Sequence, residues 1–223
     1  MNAPSQQVSS YTIPGSQYGY TGMAIDTLAS FENTIAQGLL DESGSTNSFA
    51  KQMEDAVKFI IRSLRNSPRA DNLIYRQCHF ATNYREHHGF LPLSQINESM
   101  YDGCYIPGGI TTLYDSTDRM LKEVKDYGKK QAEQKYSCNG ICYMLTDGRD
   151  YGSVYGQNEV KSTLMNVNSD ESLESLITIL IGVNEDSGIQ RDLEAYAKFV
   201  GFTQYIPLGK ADVKTLNKLG NFL

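Results

Sequence analysis

Residues 176–183 read LITILIGV, a stretch almost continuously apolar where a half-exposed strand would alternate apolar and polar positions. A strand of this kind is covered on both faces, which happens when helices cross over a mostly parallel sheet. Other strand-like runs occur at 34–40, 73–81 (LIYRQCHFA), 141–146 (ICYMLT) and 202–206, the last stopping at Pro207. Between them lie helical patterns. Phe49, Met53, Val57, Ile60 and Leu64 recur three or four apart and stop short of Pro68, and similar stretches cover 113–132, 159–165, 189–200 and 213–222. The alternation predicts an α/β fold, a doubly wound, mostly parallel sheet flanked by helices and Rossmann-like in type. Residues 83–107 break the rhythm: GFLPLSQI reads as a short strand amid loops, an antiparallel edge strand.

A length of 223 residues suits one α/β domain with a short appendage. Residues 1–22, rich in Ser, Gln, Gly and Tyr and without periodicity, have the composition of a polar tail; alternatively, the tyrosines around Tyr11, Tyr18 and Tyr20 lie over the domain or a partner. Residues 23–223 form the domain. A net charge of -6 and the lack of any Lys/Arg cluster argue against nucleic acid. The N-terminus has no basic and apolar leader pattern and no apolar stretch spans a bilayer, so no membrane association and a cytoplasmic location are expected. In that compartment Cys78, Cys104, Cys138 and Cys142 are read as free thiols; the CxxxC pair lacks a second pair of soft ligands for zinc. His79 reads as core, and His87 and His88 as solvated loop residues.

In open doubly wound sheets, ligands bind beyond the carboxyl ends of the strands, where strand order reverses. The turns DESGS and TDGRD follow two of the strand-like runs, and GGITTLYDS opens the long helix before the second. If those strands are neighbours, all three turns meet on one rim. Asp41, Ser43 and Ser45 alternate, so an extended turn brings their oxygens to one side, with Gly44 allowing a sharp bend. Carboxylate and hydroxyl oxygens without His or Cys suit a hard cation, Mg2+ or Mn2+.

These turns resemble a known family. DESGS is similar to the DxSxS signature of von Willebrand factor A (vWA) domains, GGITTLYDS to their GGTxLYD segment and LTDGRDYGS to their LTDGxD segment, in family order and with family-like spacing. The resemblance implies a metal-ion-dependent adhesion site (MIDAS) with Asp41, Ser43, Ser45, Thr111 and Asp147 as metal residues. Ser43 and Ser45 bind directly, Asp41 and Asp147 directly or through water, and Thr111 is the switchable ligand. A carboxylate from a partner protein fills the remaining position, which implies a non-catalytic protein-binding module of assembly or adaptor type. Ile110 is an insertion relative to the family pattern; Thr112 is the alternative ligand, or a helix cap. Glu42 and Asp150 are read as solvated groups or as neighbours of the ligands.

Two other readings stand beside this one. In the first the chain is a structural subunit of a larger assembly, associated with an AAA-type ATPase or phage-encoded, in which the metal site is incidental. In the second it is a phosphoryl-transfer enzyme with Asp41 as nucleophile; against this, Ser43 stands where such enzymes carry an acid, and no GxxxxGK loop is present.

Overall fold

The computed structural model describes residues 8–23, 32–183 and 186–208. At its centre is β3 (Glu32–Asp41), buried from Asn33 onward. Parallel to it lie β4 (Leu73–Phe80) on one side and β6 (Ser137–Thr146) on the other, and β7 (Ser175–Gly182) and β8 (Gln204–Pro207) continue the parallel order beyond β6. Alternate residues of β3 enter different cores: Ile35 and Leu39 one, Ala36 and Leu40 the other. Both faces are therefore apolar.

One face is covered by α1 (Ala50–Arg65) through Met53, Val57, Ile60, Ile61 and Leu64. The other carries α2 (Leu113–Glu133), α3 (Gln157–Asn168) and α4 (Ser187–Val200), with Leu121, Val124, Leu164, Leu193 and Val200 among the packed side chains. Local chemistry sets the helix ends. The Asp186 carboxylate accepts the free N–H groups of Gly188 and Ile189 at 2.7 and 2.9 Å, and Gly201 ends α4 in the left-handed region at φ 95°. Among the described residues no helix is long and apolar enough to cross a membrane.

The strand order is β1-β2-β5-β4-β3-β6-β7-β8. The chain leaves β3 through α1 on one face and reaches β6 through α2 on the other, so the order reverses between β3 and β6. The expected mixed α/β architecture is present, with two corrections. First, β5 (Tyr84–Pro92) is antiparallel to β4, as expected, but it is not an edge. Beyond it lie β2 (Gly19–Met23), paired at Gly22↔Phe90, and then β1 (Val8–Thr12). His87 and His88 consequently sit in β5, half-buried, with His88 Nε2 2.6 Å from the Tyr101 hydroxyl. His79 is buried in β4 as expected.

Second, residues 8–22 are not a tail: they form most of that hairpin. Its polar composition hides its anchors. Tyr20 is buried and its hydroxyl donates to Asp126 of α2, while the Thr21 hydroxyl and N–H donate to Glu86 at 2.6 and 3.1 Å. Tyr20 also meets the edge of Phe90, which stacks on Tyr127 with ring centroids 4.1 Å apart. Gly89 permits the approach, since a Cβ there would lie 1.9 Å from Thr21 Oγ1. Residues 1–7 and the helix expected at 213–222 lie outside the described residues. The four cysteines are free, as expected, and buried.

The least expected core residue is Arg76, fully buried in β4. Its guanidinium pairs with Glu123 of α2, also fully buried, and its Nε donates to Glu86 of β5 at 2.8 Å. Removing one member of a buried pair leaves the other charged and desolvated, at a cost of about 3–5 kcal/mol. Glu123→Ala is expected to lower the urea midpoint by that equivalent. Glu123→Leu combined with Arg76→Met should recover most of it; a double variant no more stable than Glu123→Ala would mean that packing, not charge, dominates.

Candidate metal centre

Leu40 of β3 lies opposite Leu145 of β6, so Asp41 and the pair Thr146–Asp147 leave the same end of the sheet side by side. Asp41 is fully buried. Its Oδ1 accepts the Ser43 N–H at 2.8 Å and its Oδ2 accepts the Thr146 hydroxyl. The first bond is an aspartate turn that bends the chain at the strand end. From there the hydroxyls form a chain: Ser43 Oγ is 3.1 Å from Ser45 Oγ, and the Ser45 hydroxyl donates to Asp147 Oδ1 at 2.9 Å. Asp41, Ser43, Ser45 and Asp147 thus belong to one hydrogen-bonded cluster.

Backbone bonds fasten the third turn to the other two. Gly44 N–H donates to Gly109 O at 3.1 Å, Gly108 N–H to Glu42 O at 2.7 Å, and Thr111 O accepts Tyr151 N–H and Gly152 N–H at 3.0 Å each. Gly109 has φ 83°, and a Cβ on it would fall 2.5 Å from Thr82 Oγ1; only glycine fits. Thr111 is buried at this junction. Thr112 stands at the N-cap of α2 but makes no capping bond, and its hydroxyl donates to Ala81 O instead. The free N–H groups of α2 are answered from the turn that follows β6, Tyr114 by Asp150 Oδ1 at 3.2 Å and Asp115 by Ser153 Oγ at 3.0 Å. The loop therefore takes up Ile110 with the Thr112 hydroxyl turned to structural use.

Two groups at this rim escaped sequence reasoning. Thr146 holds Asp41, and its only sequence signal is its place before Asp147. The Tyr105 hydroxyl donates to the main-chain oxygen of Asp41. Glu42, expected to be solvated or beside the ligands, is buried and turned toward β4 and β5: it accepts from His79 Nδ1 at 2.6 Å, from Ile106 N–H at 3.0 Å and from Arg85. A carboxylate only accepts, so the proton of His79 is on Nδ1.

The charges of this region divide sharply. Burial disfavours the charge of Glu42, yet His79, the Ile106 N–H and Arg85 outweigh it and hold the carboxyl below its usual range. Burial pushes Asp41 up to about 6 against the bonds from Ser43 and Thr146, and Asp147 adds to the rise. Burial likewise raises Asp147, opposed by Ser45. Among the described residues no basic side chain is a partner of these two acids. Among the described residues no three His, Cys, Asp or Glu side chains come together as a metal-holding group; the donors gathered here are two carboxylates with hydroxyls.

No family model and no curated protein matches the chain. Solved structures are similar to it. A point mutant of the PilB minor pilin from Streptococcus sanguinis aligns with a TM-score of 0.63 at 12% identity, covering 90% of this chain and 62% of that one. Proximal thread matrix protein 1 (PTMP1) from the mussel byssus gives 0.59 at 17% identity, over 85% of this chain and 44% of that one. The pilus adhesin SpaC from Lactobacillus rhamnosus GG gives 0.58 at 10% identity, over 100% and 33%. The likeness is one of fold. This chain spans less than two thirds of each of those proteins, and one PTMP1 structure is described as having a zinc-occupied MIDAS motif.

A carboxyl whose folded pKa is raised binds its proton more tightly in the folded state, so its contribution to stability falls as pH rises through the folded value. In EDTA, Asp41→Asn is therefore expected to be more stable than wild type at pH 7.5, by about 1–3 kcal/mol for a shift of this size, and the difference should shrink by pH 5. The Asn amide keeps the contacts, because the Thr146 hydroxyl can turn to Gly148 O, 3.2 Å away. Thermal melts of both proteins at the two pH values test this; a variant less stable at pH 7.5 would show that the charge is already compensated.

Proposed function

We propose that this rim is a MIDAS-type site of a vWA-like domain: it binds one divalent cation through Asp41, Ser43, Ser45, Thr111 and Asp147 and thereby binds a protein partner, without catalysis. One observation carries the reading: two buried carboxylates at the reversal of strand order share a chain of hydroxyls and have no basic partner among the described residues. Desolvated like charges of this kind are relieved by a cation, and carboxylate and hydroxyl oxygens suit Mg2+ or Mn2+. The likeness in fold to PTMP1, for which a zinc-occupied MIDAS is described, adds support and makes zinc a necessary third metal to test. His79 is bonded to Glu42 rather than to these acids, which favours binding over acid–base chemistry.

Such a cation keeps positions for water or for an outside ligand. A partner Asp or Glu takes one of them, and the metal bridges two proteins. Four unpaired thiols support a reducing, cytoplasmic compartment. An assembly component, including one that works beside an AAA-type ATPase, fits this reading.

The test is calorimetric titration of chelated protein with Mg2+, Mn2+ and Zn2+, with thermal melts alongside. One site is expected, with a melting temperature that rises with metal by mass action. Asp41→Asn should abolish the heat. Thr111→Ala should keep the fold and weaken metal binding, whereas Thr112→Val should mainly lower stability, by about 1–2 kcal/mol, because it leaves Ala81 O without its donor. Unchanged isotherms in Asp41→Asn would move the metal elsewhere, and partner capture indifferent to EDTA would make the rim a purely structural surface.

A further inference from the structure

Resting on that metal site, we infer that the surface around it is shaped for a partner segment in which the acidic side chain stands between apolar neighbours. Ile106, Ile110, Tyr151 and Val154 are 66, 53, 69 and 90% exposed, and all four belong to the two loops that flank the cluster. The loops adjoin: Thr111 O accepts from Tyr151 and Gly152, and a Cβ on Gly152 would lie 3.6 Å from Ile110 Cβ.

These side chains are displayed from a fixed backbone. The N–H groups of Val154 and Tyr155 donate to the Asp115 carboxylate at 2.9 and 2.8 Å, Ser153 is held by Asp150, and Ile106 N–H is held by Glu42. Exposed apolar residues on a mobile loop carry little meaning. On a loop held this way they form a preorganised surface that loses little entropy on binding.

Charge selects the occupant. From Gly103 to Tyr114 and from Tyr151 to Asn158 the chain has no charged residue. An incoming carboxylate finds its counter-charge at the cation in the middle, since Arg149, which meets Tyr151 at the margin of the surface, is already paired with Asp192; charged residues beside the acid would be desolvated against Ile106, Ile110 and Val154. An acid flanked by apolar residues satisfies both conditions; an acid within a charged stretch does not.

Three capped pentapeptides serve as probes: aspartate between two pairs of leucines, aspartate between two pairs of serines, and asparagine between two pairs of leucines. Binding is followed by NMR shifts in saturating Mg2+ and in EDTA, for wild type and for Ile110→Ser combined with Val154→Ser, whose side chains are exposed and whose loss leaves the core intact. The leucine-flanked aspartate should bind about tenfold tighter than the serine-flanked one, the effect of burying roughly two methylene groups. The double variant should lose that advantage while its calorimetric affinity for Mg2+ is unchanged, and the asparagine peptide and EDTA should each abolish tight binding. Equal binding of both aspartate peptides to a metal-loaded protein overturns the inference and spares the metal reading; failure of Mg2+, Mn2+ and Zn2+ to bind overturns both. Self-association of wild type that the double variant loses, or metal-independent sedimentation with phosphatidylglycerol vesicles, would assign the surface to a second copy or to lipid and overturn the proposal.

Discussion

The parallel pairing of β3 with β6 decides where the chemistry of this protein can lie. Its register runs from Glu32↔Ser137 to Leu40↔Leu145, and a slip of one residue would turn every side chain of one strand to the opposite face. The cores forbid that slip, because Ile35 and Leu39 fill one and Ala36 and Leu40 the other. Packing far below the rim therefore sets the height at which Asp41 leaves the sheet beside Thr146. The connection through α1 to β4 and the return through α2 to β6 open the crevice at that same height.

A second constraint acts on the opposite flank. Arg76 stands in a strand buried on both faces, where its charge must be matched inside the protein. Glu123 comes from α2, Glu86 from β5, and the Thr21 hydroxyl of β2 binds the same Glu86. Tyr20 and Phe90 lie over the guanidinium, with centroids 5.9 and 5.5 Å from its carbon. Neutralising this one charge links four elements that come from distant parts of the sequence. The hairpin therefore belongs to the sheet in spite of a composition that reads as tail.

What the sequence reveals and conceals follows from this difference. The runs at 141–146 and 176–183 announce buried parallel strands because burial on both faces removes polar alternation, and the stripe from Met53 to Leu64 announces α1 because one face packs. DESGS, GGITTLYDS and LTDGRD mark a rim because two of them follow strand-like runs and the third opens the helix between, and those strands are neighbours. The hairpin is hard to see locally: its strands are five residues each, and the bonds of Tyr20 and Thr21 that anchor it to the domain span 65 to 106 positions. β5 was legible as antiparallel, but its place inside the sheet depends on that hairpin. Glu42 reads as solvated or as a neighbour of the ligands because it is an acid in a polar turn; the approach of Arg85 and His79 makes its burial tolerable.

Asp41 and Glu42 then show how one strand end can carry two adjacent acids in opposite roles. They leave β3 toward different surroundings. Glu42 faces a guanidinium, an imidazole N–H and a main-chain amide, keeps its charge, and ties the loop of Ile106 to β4 and β5. Asp41 faces hydroxyls, one amide and a second acid, so its charge is answered only by dipoles. Dipoles fixed by the turn can hold a carboxylate in place without neutralising it. On the proposed metal reading, the same burial that makes Asp41 a poor anion alone would make its oxygens firm and dry donors for a cation, because little water would have to be removed from them. Had Arg85 reached Asp41 instead, the rim would hold an internal ion pair. The division of the two acids, Glu42 to the scaffold and Asp41 to the crevice, leaves the charge of Asp41 at the reversal of strand order without a basic partner among the described residues.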